Sequence, residues 1–138
     1  VRSERWSGTP RWVRAVVTAA ACVFAYGGVV HLIDLFGGRG DPLASTPTWL
    51  ALYFTSLTVL DPLASLLLVL RRVEGLLLGC VVLATDAVAN WYANYLLDPT
   101  EGITAGRFGQ ALIAVLALTL IATAPRVAPW LRTAPQSM

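Results

Sequence analysis

Lysine is missing from this sequence altogether, histidine occurs once, and charged residues make up only 13% of the chain. A soluble domain with so little charge lacks the polar surface to cover its core. Cysteine is scarce: Cys22 and Cys80 are the only two, with no Cys-x-x-Cys pair. A quinone-linked disulfide enzyme is thereby excluded, and both read as small buried residues. No nucleophile motif, glycine-rich phosphate loop or metal triad occurs either. The ten basic residues are all arginine and lie in small groups at the ends of apolar runs. They set topology and form no nucleic-acid footprint.

What the chain has in quantity is apolar side chains, 57% of its residues. They gather into four runs, Val13–Phe36, Trp49–Leu70, Gly75–Leu97 and Phe108–Ala124. Each is roughly 20 residues, enough to span about 30 Å of hydrocarbon. The expectation is an all-α integral membrane protein, a four-transmembrane-helix bundle with antiparallel neighbours. Residues 13–124 form the single membrane domain, with 1–12 as an N-terminal segment and 125–138 as a C-terminal tail. The run before Cys22 is too short for a signal-peptide core, so the first span is expected to be retained. Arg2, Arg5, Arg11 and Arg14 precede span one, Arg71 and Arg72 join spans two and three, and Arg126 and Arg132 follow span four. Only Arg39 and Arg107 fall in the other two loops, each near an acid. The positive-inside rule then puts both termini and the second loop in the cytoplasm. Arginine-only basic usage with abundant Ala, Leu and Val suggests a bacterial gene, hence a multi-pass protein of the plasma (inner) membrane.

Span three carries the clearest polar pattern. Gly75, Gly79, Asp86, Asn90 and Asn94 recur on one broad helix face, which the glycines mark as an interior one. Trp91, Tyr92 and Tyr95 approach the outer boundary, where aromatic residues anchor. In span one, His31 and Asp34 share a face one turn beyond Gly27 and Gly28. An interior histidine is a hydrogen-bonding group or, with an ordinary pKa near 6.5, a proton switch.

The string "DPLAS" occurs twice, at Asp41–Ser45 and at Asp61–Ser65. The outer copy reads as a turn in solvent. The inner copy lies in the middle of span two, where Pro62 cannot donate to the Thr58 carbonyl and should kink the helix. Thr58, Asp61 and Ser65 then line a polar notch. Asp61 and Asp86 sit at similar depth on adjacent helices. A midplane carboxylate costs about 2.5–3.5 kcal/mol, so each is a functional candidate. Two carboxylates close together in a poor solvent would share a proton or hold a cation.

The leading expectation is therefore an outward-facing polar pocket that binds or passes a proton, a cation or a small amine-bearing ligand. Asp61 and Asp86 supply charge, Asn90 and Asn94 orient the ligand, and His31, Asp34 and Thr58 complete the site. No cofactor is implied, and the residues do not specify a metal. A second expectation is an acid–base enzyme in which His31 and an aspartate act on a lipid-like substrate entering sideways. A third is a subunit whose polar face serves a homo-oligomer or a larger membrane complex. Span four, with Gln110, Thr119 and Thr123 as its polar residues, reads as a packing helix.

Together "HLIDL", "LTVLDPLASLLL" and "DAVANWYANY" resemble a pattern in small bacterial four-span proteins of unknown function, over Tyr26 to Leu97. In outline the chain is also similar to the four-span EXPERA group of sterol isomerases and sigma-2-type receptors. That resemblance implies a membrane-embedded pocket lined by acids, a histidine and aromatics. Its counterparts here are His31, Asp34, the "PTW" stretch opening span two, and Asp61.

Overall fold

The computed structural model describes residue 6 and residues 8–36 and 46–132. The outer "DPLAS" copy, Arg2, Arg5 and Arg39 lie outside the described residues. Four long helices account for the described chain: α1 (Arg11–Phe36), α2 (Thr48–Val69), α3 (Val73–Tyr92) and α4 (Ala105–Val127). A π-helical turn, Ala93–Leu97, extends α3, and a 3₁₀ turn, Ala128–Trp130, follows α4. All four are long and apolar enough to cross a membrane. Large apolar side chains such as Val29, Val59, Val81 and Leu118 project outward from all of them. Water would penalise such a surface, whereas hydrocarbon accepts it, provided the backbone is satisfied within each helix.

The connections explain why the helices turn where they do. At the end of α2 the Arg71 N–H bonds to the Leu68 carbonyl (2.9 Å) and the Arg72 N–H to the Leu67 carbonyl (2.8 Å). This paired arrangement is a Schellman motif, with Arg71 in the left-handed region at φ 60°. Glycine ordinarily takes that position, so the arginine side chain must compensate. It stacks on the Trp6 ring, 4.3 Å from the centroid, and donates to the Trp130 carbonyl at 2.8 Å. At the opposite end Thr104 caps α4 by accepting from the Arg107 N–H (3.1 Å). Arg107 in turn donates to the carbonyls of Asn94 (3.1 Å) and Gly102 (2.7 Å) and lies over the Tyr95 ring. A cation thus closes the carbonyl-rich end of α3.

Packing runs α1 on α2, α2 on α3 and α3 on α4, while α1 and α4 barely touch. Three glycines permit the close contacts. A Cβ on Gly75 would come within 2.6–2.8 Å of Leu67 and the Leu68 nitrogen, so α3 leans directly on the α2 backbone. A Cβ on Gly28 would meet the Pro62 ring at 2.7 Å, and on Gly79 the Phe24 ring at 2.7 Å. Gly79 therefore receives a side chain from α1, not a neighbouring backbone. Ser65 adds a bond from its hydroxyl to the Ala21 carbonyl across α1 and α2 (2.8 Å).

Several boundaries differ from the sequence expectation. Helix α4 runs through Pro125 to Val127, and both Val127 and Leu131 are core residues. The tail expected from residue 125 is thus bundle up to Leu131, because the apolar residues beyond the proline have a core to fill. Cys22, expected to be buried, is exposed, because α4 does not close over that face of α1. The N-terminal end of α1 and the end of α4 lie together with the α2–α3 loop, as an antiparallel four-helix order requires.

Candidate functional site

In the half of the bundle away from Arg71, the gap between α1 and α4 opens into a cavity of about 680 Å³. Helices α2 and α3 form its back wall, where Asp61 and Asp86 sit. The two carboxylates are 6% and 9% exposed, so each is a buried polar group that must be explained.

Asp61 owes its position to Pro62 and to two missing side chains. The glycine pair Gly27–Gly28 lets the Asp61–Pro62 turn of α2 press on α1, and any Cβ on Gly27 would overlap Asp61 Oδ2. One turn farther along α1, His31 Nε2 stands 3.8 Å from that same oxygen. The imidazole stacks on Phe54, with centroids 6.4 Å apart and planes at 21°. Asp86 is held from its own helix: Asn90 Nδ2 donates to its Oδ1 at 2.8 Å and to its carbonyl at 3.0 Å. Asp34, at the exposed end of α1, borders the mouth of the same cavity.

Five of the seven expected site residues thus border one cavity: His31, Asp34, Asp61, Asp86 and Asn90. Asn94 and Thr58 do not. Asn94 has turned toward α4, where its amide oxygen presses on Gly106 and its Nδ2 bonds to the Asn90 carbonyl (2.8 Å). The Thr58 hydroxyl is buried without a hydrogen-bond partner, off the cavity wall. The expected pocket was polar, whereas the remaining walls are largely apolar. Phe24 and Val82 lie toward the core, and Leu112, Ile113 and Leu116 come from α4.

Sequence reasoning passed over Phe54 and the α4 wall. Phe54 was within reach, since it lies seven residues before Asp61 and so on the same face. The α4 leucines and Ile113 carry no polar signal, and only the lateral order of the helices reveals them. Among the described residues no group of three or more His, Cys, Asp or Glu side chains is placed to hold a metal ion. The chemistry available is that of three carboxylates, Asp34 at the mouth and Asp61 and Asp86 on the back wall, with one imidazole and one amide against an apolar wall. Comparison with protein-family models, with curated proteins and with solved structures finds no match to this chain.

Proposed function

We propose that this chain binds a small organic cation, such as a protonated amine with an apolar body, in the cavity between α1 and α4. The observation that carries this reading is that Asp61 and Asp86 border one cavity on whose walls, among the described residues, there is no arginine. Its fixed charges are therefore acidic, and a cation is the ligand they favour. The apolar residues facing the acids would cover the uncharged part of the ligand, as in most small-molecule sites. Binding is favoured over passage because the packed core that includes Val17, Phe24, Leu68 and Leu76 fills the bundle toward the arginine-rich end. The positive-inside rule puts that end in the cytoplasm of a bacterial plasma membrane, which makes the cavity outward-facing.

Thermal melting in lipid nanodiscs with benzylammonium or with neutral benzyl alcohol tests this. At ten times its Kd a ligand stabilises the folded state by about 1.4 kcal/mol. Benzylammonium should raise the Tm of the wild type and leave Asp61→Asn/Asp86→Asn unchanged, and benzyl alcohol should do neither. Equal shifts from the two compounds, or a shift that survives in the variant, would contradict the proposal.

One contact favours a second reading, acid–base catalysis on a lipid-like molecule entering between α1 and α4. His31 and Asp61 are 3.8 Å apart, near the reach of a proton-transfer pair. The readings part at His31→Gln, which a cation site should tolerate and an acid–base enzyme should not.

A further inference from the structure

The opposite end of the bundle carries a second arrangement of charge. We propose that it binds a phosphate group between the guanidinium groups of Arg71 and Arg132. The backbone brings these residues together at a cost. Arg71 holds φ 60°, which in an L-residue is unfavourable by roughly 1–2 kcal/mol. In that conformation its carbonyl accepts from the Arg132 N–H at 2.7 Å, and the Arg132 carbonyl accepts from the Val73 N–H at 3.0 Å. The segment after α4 is thereby bonded to the α2–α3 loop, with two arginines as neighbours.

Among the described residues the only carboxylate at this end is Glu74, which Arg72 engages at 3.2 Å. Neither Arg71 nor Arg132 has an acid within ion-pair distance among the described residues. Burial first, and then the like charge of Arg132, holds the Arg71 guanidinium below its ordinary pKa. The Arg71 side chain is also fixed in place, stacked on Trp6 and bonded to the Trp130 carbonyl, so its loss of freedom is already met. A guanidinium matches phosphate oxygens with parallel N–H donors, and two of them converging on one anion would relieve their mutual repulsion. The Trp6 indole flanks the site, as indoles do at the level of lipid headgroups. A phospholipid headgroup and a soluble phosphate share the chemistry required.

Tryptophan fluorescence of the full chain in neutral detergent reads the site, since Trp6 lies against Arg71. Titration with short-chain phosphatidylglycerol or with inorganic phosphate should give a saturable change. Arg132→Gln is the informative variant because its bonds to Arg71 and Val73 are all backbone and survive the substitution. It should weaken binding about fivefold, the effect of one arginine near a charged headgroup. Arg126→Gln, an exposed arginine at the same end, should stay within about twofold of the wild type. Tighter binding of the lipid identifies a headgroup site, equal or tighter binding of inorganic phosphate identifies a soluble ligand, and both uphold the proposal. No saturable change with either probe would overturn it. So would equal weakening by Arg126→Gln and Arg132→Gln, which would mean a diffuse field without a site.

Discussion

The two ends of this bundle use their polar groups differently. At the arginine-rich end a Schellman turn, a 3₁₀ turn and the Trp6 ring interlock around Arg71, and the apolar core beneath them is filled. At the other end α1 and α4 stand apart, and the carboxylates between them are only lightly engaged. Asp86 accepts from Asn90, while Asp61 has His31 at 3.8 Å. One end is built from groups that hold the chain together. The other keeps costly groups in a hollow they do not fill, the arrangement expected under the proposed function if the acids are held at the expense of stability.

Substitutions of one kind at the two ends should therefore differ in effect. The largest contrast is expected between Leu68→Ala and Leu112→Ala. Leu68 is fully buried beneath the α2–α3 turn, and its loss should cost about 2–5 kcal/mol in a melting or denaturant experiment. Leu112 borders the cavity and is 53% exposed, so its truncation should change stability by less than about 0.5 kcal/mol. Equal losses would mean that the hollow is packed as tightly as the core. Next in size is Gly75→Ala, whose Cβ would meet α2 backbone atoms that cannot step aside. A loss of about 1–3 kcal/mol is expected, against almost none for Gly109→Ala on the open face of α4.

Arg71→Gly sharpens the comparison by setting two effects against each other. Glycine would remove left-handed strain of about 1 kcal/mol but lose the Trp6 stacking and the bond to the Trp130 carbonyl. Those contacts together are worth about 2 kcal/mol, so a net loss near 1 kcal/mol should appear in the melting curve. A more stable variant would mean that the arginine does not hold this end closed.

The four spans were legible because hydropathy over twenty residues reports the solvent a helix meets. The Pro125 boundary was not, since a proline near a helix end tells nothing of the core waiting beyond it. Asp61, Asp86, Asn90, His31 and Asp34 could be picked out because polar groups in apolar spans are expensive. Their meeting in one pocket follows from matched depth on neighbouring spans, whereas its opening between α1 and α4 could not be read, because that depends on the lateral order of the helices. Asn94 shows how the face argument fails with distance. Each step of four residues drifts about 40° around an ideal helix, and by the second step from Asp86 the side chain has reached the α4 seam. Thr58 is displaced by about 60° from Asp61, enough to leave the cavity wall. The apolar α4 wall gave no polar signal at all.

The central claim is that Asp61 and Asp86 are kept for a ligand and not as a fastening between helices. The most direct measurement is the thermal stability of the wild type against Asp61→Asn/Asp86→Asn, in the same nanodiscs at neutral pH and without ligand. A variant that melts higher is the predicted result, because amides remove the burden of two buried acids while filling the same space. A variant that melts clearly lower would contradict the account and make the carboxylates part of what holds the bundle together.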